Sequence, residues 1–319
     1  MRLWNAYLWK AVCSHHDGKK PYMVLPSASG KSLLISRLPI HFSCSAWLRQ
    51  SFARPRPIAV LLVLVACLPA MAQQQTPLQL VTAMVQNEEQ ARQHRTFFRY
   101  TSVERSSRTD GHLWTENVAE TPDGLLRRLI AEDGKPLSAD RVAAEDRRLA
   151  ALAADPSALR SANADRRADE ARIAKILTIL PQAFLFTADG MQGNCARIAF
   201  RPNAGFTPST YDERVVHNLA GTILISVPGE RLCGIEGHLL DRVTFGFGLL
   251  GHIDQDSYFK VVRVPVTATD WKSARVVVHI GGKILLLKSI SHDDDATHSG
   301  AQPLPPNLSL AEAAALIRP

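Results

Sequence analysis

What is missing from this sequence bounds its chemistry. There is no Gly-x-Ser-x-Gly elbow for a serine nucleophile, no His-Glu-x-x-His pair for zinc and no Cys-x-x-Cys for redox work. The eight histidines after residue 72 (His94, His112, His217, His238, His252, His279, His292 and His298) fall on different segments instead of pairing at ligand spacing. The run His292-Asp293-Asp294-Asp295 lacks the glycine and closing glutamate of a calcium loop. His279, inside Val276-Val277-Val278-His279-Ile280, reads as a strand histidine on the less buried face. Ser27-Ala28-Ser29-Gly30-Lys31-Ser32 imitates the end of a phosphate-binding loop, but Leu25 stands where the first glycine belongs. The expectation is therefore no catalytic residue, no metal and no cofactor; an enzyme would need a site dispersed over distant segments.

An excess of charge of one sign is also missing, once the chain is divided. The whole sequence carries 37 Lys/Arg against 30 Asp/Glu. Nine of those basic residues and only Asp17 of the acidic ones precede Gln73, which leaves 28 against 29. A near-neutral remainder has no electrostatic footprint for nucleic acid, which is excluded as a partner. Long apolar runs are scarce too. Residues 58–68 form one that stops at Pro69, short of the roughly 20 residues a membrane helix needs.

That run has the three-part grammar of an export signal: Arg54 and Arg56 before it, Ala70-Met71-Ala72 after it. Cleavage after Ala72 and a periplasmic location are the expectation for residues 54–72. Leu64-Val65-Ala66-Cys67 also has the form of a lipobox, which makes Cys67 a lipidation candidate and the protein a membrane-tethered one; otherwise Cys67 is an apolar residue of the signal. Residues 1–53 fit no targeting pattern and show no sustained period, so they read as an upstream extension. Of five cysteines, Cys195 and Cys233 follow the signal. In an exported chain they most simply form one disulfide, the alternative being two buried thiols.

What remains, roughly 245 residues, is enough for one domain with a real core. Residues 76–94 read as a helix, with Thr76 as cap, Pro77 in the first turn and Leu78, Leu80, Val81, Met84 and Val85 recurring at three- and four-residue steps. The period then changes to two across residues 96–104, 112–120 and 124–130, which predicts antiparallel strands joined at Thr109-Asp110-Gly111 and Thr121-Pro122-Asp123-Gly124. Residues 138–180 form a helical insertion interrupted at Asp155-Pro156-Ser157; Ser138 caps its first helix and Ser157 the next. Its stretch 163–172 alternates in charge and reads as a solvated face, while Ile173, Ile176, Leu177 and Leu180 turn to the sheet.

Strands are predicted again at 184–188, 196–201, 221–227, 231–244, 258–267, 272–280 and 283–289, with a short helix at 211–219. Pro228-Gly229-Glu230 and Gly281-Gly282 are the expected tight turns. The domain is bounded at 73–298; the polar chain after Asp293 reads as a weakly ordered tail over 299–319, with a last helix at 310–317. In the segment Val243-Thr244-Phe245-Gly246-Phe247-Gly248-Leu249, period two puts Phe245, Phe247 and Leu249 on one face. The glycines clear the other face and suit a bend.

The order of export signal, amphipathic helix, meander, helical insertion and longer meander resembles the LolA/LolB-like superfamily of bacterial envelope proteins. In that order the longer meander ends at Gly281-Gly282-Lys283-Ile284-Leu285-Leu286-Leu287, and the second half, from Leu219-Ala220-Gly221-Thr222-Ile223-Leu224-Ile225 through Gly248-Leu249-Leu250-Gly251-His252-Ile253 to Asp270-Trp271, is similar to secreted bacterial proteins of this layout. The insertion at 138–172 departs from the compact carriers. The resemblance implies an α+β fold, a strongly curved antiparallel sheet (an incomplete barrel) with helices covering its concave side. It also implies a non-catalytic cavity protein whose partners are lipid or lipoprotein acyl chains, with an envelope protein as a possible further partner. In the cavity so implied, Phe245, Phe247 and Leu249 are the candidates for the lining. The alternative is a periplasmic structural or signalling interaction module with a solid core.

Overall fold

The computed structural model describes residues 75–245, 251–284 and 288–318. The signal segment, Cys67, Phe247 and Leu249 lie outside the described residues. Helix α1 (Pro77–Gln93) starts as its first residues dictate: Thr76 Oγ1 accepts from Gln79 N at 3.2 Å and Thr76 N donates back to the Gln79 side chain at 2.8 Å, with Pro77 in the first turn. Strands β1 (Phe98–Arg105), β2 (Trp114–Thr121), β3 (Gly124–Glu132) and the two-residue β4 (Lys135–Pro136) follow as a meander. The insertion supplies α2 (Ala139–Ala154), α3 (Pro156–Ala162) and α4 (Ala164–Ala183). Then come β5 (Phe184–Gln192), β6 (Cys195–Pro202), α5 (Tyr211–Val216), β7 (Leu219–Ser226), β8 (Leu232–Leu239), β9 (Val243–Phe245), β10 (Gly251–Ile253), β11 (Tyr258–Pro265), β12 (Trp271–Ile284), β13 (Lys288–Pro303) and α6 (Leu310–Leu316).

All the described strands join one antiparallel sheet in the order β4-β3-β2-β1-β13-β12-β11-β8-β7-β6-β5, and β10 joins β9 to β12 off this path. The sheet is not closed into a barrel, and the class is α+β. The two meanders meet where β1 pairs with β13, Phe98 opposite Pro303.

Alternation along the strands gives the sheet two different faces. Ala119 and Leu126 are opposite each other on one face and pack with Leu149 of α2, Leu159 of α3 and Ala313 of α6. Val118, one residue earlier, faces the other side together with its partner Tyr100. On that second face the main core collects Val81 and Met84 of α1, Leu180 of α4 and strand residues such as Ile198, Ile223, Val261 and Val276. The insertion therefore contributes to the cores on both faces. The junction of α3 and α4 is fixed by buried Asn163, whose Oδ1 accepts from Leu125 N at 3.1 Å and whose Nδ2 donates to Leu159 O at 3.0 Å. Gly124 sits there with φ +143°, and a Cβ would come within 2.6 Å of the Asn163 amide.

Four local expectations are corrected. Asp155, not Ser157, caps α3: with Pro156 at the first helical position the cap must precede it, and Asp155 Oδ1 accepts from the backbone N–H of both Ser157 (2.8 Å) and Ala158 (3.2 Å). Gly281 and Gly282 do not turn. β12 runs straight through them, and a Cβ on Gly282 would lie 2.3 Å from His252 O, so glycine here admits the close backbone of β10. The polar tail begins as strand: β13 pairs with β12 as far as Thr297 and with β1 as far as Pro303. The charged start of α4 is solvated on one side only: Asp165 is exposed, while Asn163, Arg166 and Asp169 are buried.

Candidate functional site

A cavity of about 390 Å³ lies between α1, α4 and the sheet face that carries Tyr100, within the 300–1,000 Å³ range of small-molecule sites. Its apolar wall comes from Val85 of α1, Ile173 and Leu177 of α4, and Leu232, Val264 and Trp271 of the sheet. These helix positions fall at the three- and four-residue steps that give α1 and α4 their inner faces.

The polar groups of the cavity come from segments far apart in sequence. Glu120 of β2 and Lys272 of β12 form an ion pair at 2.7 Å, both mostly buried; Glu120 also accepts from Phe98 N at 3.2 Å. The Lys272 ammonium sits 4.5 Å from the centre of the Phe98 ring, a cation–π contact. On the opposite side Glu88 of α1 takes Arg231 at 2.9 Å and Arg263 at 2.6 Å. Burial alone would raise the Glu88 carboxyl; the two guanidiniums outweigh it and hold the group below its ordinary range.

Tyr100 and His298 stand side by side, ring centres 5.1 Å apart. His298 Nδ1 lies 3.0 Å from Ser273 O, so Nδ1 carries the proton and Nε2 is left as an acceptor. Burial pushes the imidazole down to about 4 and the Tyr100 phenol up to about 12, so both are neutral near pH 7. The arrangement offers an apolar slot with fixed donors and acceptors beside it.

A stability consequence follows from His298. Its folded-state value of about 4 lies below the ordinary 6.5, so between those two values the unfolded chain binds more protons than the folded one. Stability then falls as pH drops from 6.5 to 4, by on the order of 3 kcal/mol. Urea denaturation at pH 7 and pH 4.5 checks this: His298→Asn keeps a donor toward Ser273 O and should lose less stability on acidification than the wild type. An identical loss in the two proteins contradicts the assignment.

Phe245 is buried in the main core with its ring 5.6 Å from Tyr211. It is not among the residues lining the cavity. Cys195 and Cys233 are joined in a disulfide that links β6 to β8 beside the β7–β8 hairpin. Sequence reasoning did not single out Tyr100, Glu120, Lys272 or Arg166 as site residues. The signal available was a charged or hydroxylated side chain at a strand or helix position whose period points inward.

The chain matches no family model, no curated protein and no solved structure. Among the described residues there is no group of three or more His, Cys, Asp and Glu placed to hold a metal ion. No described helix is long and apolar enough to cross a membrane.

Proposed function

We propose that this protein is an exported, periplasmic envelope protein that binds or carries a lipid, acyl chain or lipoprotein in the cavity between α1, α4 and the sheet, without catalysing a reaction. What supports the reading is the apolar wall of that cavity, with Ile173, Leu177, Val264 and Trp271 set around about 390 Å³ of space. In this reading the sheet curls as an incomplete barrel with α1 and α4 on its concave side, the LolA/LolB-like arrangement. Each buried methylene of a chain placed there contributes about 0.8 kcal/mol. The charged groups of the slot's sheet side are paired, Glu120 with Lys272 and Glu88 with Arg231 and Arg263, which leaves the apolar wall to the chain.

Filling the cavity tests the reading. Ala174 lines it from α4, and Ala174→Trp should weaken binding of a fluorescent fatty-acyl probe at least about tenfold while leaving the thermal midpoint within a few degrees. The wild-type protein, purified gently after export, should carry lipid detectable by mass spectrometry. If no lipid copurifies and no probe binds, the reading fails.

A further inference from the structure

The inward stripe of α4 changes character along its length. Arg166, Glu170, Ile173 and Leu177 recur at three- and four-residue steps, so all four face the cavity. The first two are charged and the last two apolar. At 1.5 Å per residue the stripe spans about 16 Å, the scale of an extended medium-length acyl chain, with its polar end at the helix N-terminus.

The charges at that polar end do not cancel. Glu170 is the sole carboxylate within ion-pair reach for two guanidiniums among the described residues: Arg166 binds it directly, and Arg95 stands 3.9 Å away. Arg166 is only 9% exposed, and apart from Glu170 it donates just one further bond, from Nε to Asn163 Oδ1 at 3.2 Å. Arg95 makes no hydrogen bond to Glu170 and lies 5.5 Å from the Phe97 ring centre. Tyr100 lines the same cavity and feels the Arg166 charge, and its hydroxyl has no hydrogen-bond partner among the described residues. The first turn of α4 adds the positive end of a 20-residue helix with no side-chain cap on it. A buried guanidinium with unfilled donors, a second arginine and an idle phenol are short of one anionic acceptor.

We infer that Arg95, Arg166 and Tyr100 form a head-group subsite for an anionic single-chain amphiphile, whose carboxylate or phosphate shares the two arginines with Glu170 while its chain lies along Ile173 and Leu177. The inference rests on the cavity reading and narrows its ligand to one sign of charge. Glu170 is the resident competitor for the head group, so removing its charge should improve binding.

The experiment is a calorimetric titration of the full exported protein at pH 8 with dodecanoate, 1-monododecanoylglycerol and dodecyltrimethylammonium, and with acetate as a head group lacking a chain. Dodecanoate should bind at least about tenfold tighter than either of the other two amphiphiles, and acetate should not bind measurably. Glu170→Gln should tighten dodecanoate several-fold. Arg95→Gln, at a side chain far more exposed than Arg166, should weaken it about fivefold and leave the neutral glyceride unchanged. The subsite is overturned if the glyceride or the ammonium binds as tightly as dodecanoate, if acetate binds as well as dodecanoate, or if Glu170→Gln weakens dodecanoate. When amphiphiles of every charge bind alike, only the head-group assignment falls; when none binds, the cavity reading falls with it.

Discussion

Loss of the Cys195–Cys233 bridge should lower the unfolding free energy by about 4 kcal/mol, enough to unfold a substantial fraction of a protein whose whole stability is in the usual range of 5–15 kcal/mol. The bond closes a loop with a sequence separation of 38. On the chain-entropy argument, opening it returns that loop's freedom to the unfolded state and leaves the folded contacts nearly unchanged. The folded side offers little compensation, because β6, β7 and β8 already hold each other in register through Cys195 opposite Ser226 and Ile225 opposite Leu232. The measurement is a urea titration of the wild type, with and without reductant, beside a Cys195→Ala/Cys233→Ala double variant. The midpoints of the reduced protein and the variant should fall together. A drop below about 1 kcal/mol would show that the unfolded chain gains no freedom from the cut.

The second large effect is expected at the far end of β1. Glu104 and Glu116 are 7% and 4% exposed and face the same guanidinium: Arg108 Nη2 lies 2.8 Å from Glu104 and 2.5 Å from Glu116. Arg127 closes the square at 2.8 Å from Glu116 and 3.6 Å from Glu104. The Arg108 guanidinium also lies 5.2 Å from the centre of the Trp114 ring. Two carboxylates so deeply buried are tolerable only as a pair with two cations. Arg108→Ala leaves them facing Arg127 alone and should cost about 3–5 kcal/mol, the usual penalty for stranding a buried charge.

The pH profile separates this mechanism from lost packing. In the wild type, burial acts to raise Glu104, but the hydrogen bonds and charge of Arg108, with Arg127, hold it well below the carboxylate range. Its contribution is therefore fully present above the unfolded carboxylate value of about 4.3 and is lost as pH falls below it. In Arg108→Ala the Glu104 carboxyl is expected to shift upward, because burial is then opposed by only Arg127. The variant should then gain stability on acidification from pH 7 toward 4.3, where the wild type gains none from this cluster. Equilibrium denaturation across that window decides it; parallel pH profiles for the two proteins would reduce the effect of Arg108 to packing.

The elements of this fold were legible wherever local chemistry has one solution. Thr76-Pro77 opens a helix, and the period of two over residues 96–104 and 112–120 gives the strands β1 and β2. Where one residue type serves two purposes, the sequence misled. Gly282 looks like a turn beside Gly281, yet it is a strand glycine that makes room for the backbone of His252, a contact between segments 30 residues apart. Residues 293–303 look too polar to be ordered, but a strand in the middle of a wide sheet needs an apolar partner on one face only, and Ala296 opposite Val276 supplies it.

The candidate site was legible in half. The apolar end of the α4 stripe, Ile173 and Leu177, was visible from period alone. Its charged end was read as solvated, because nothing local distinguishes Arg166, buried at 9%, from an arginine in water. The glycine-rich aromatic segment drew attention to Phe245, whose ring is spent on packing against Tyr211.

The pairing of β1 with β13 sets an order of events in time. Phe98 meets Pro303 across more than two hundred residues of intervening chain. A polypeptide delivered from its N-terminus must hold its first meander with β1 as an open edge until the last strand arrives. The cavity follows the same schedule: Arg95 emerges early, yet the slot it borders is not whole until residues 298–301 take their place beside it. The wall of the cavity is completed by the last strand to be made.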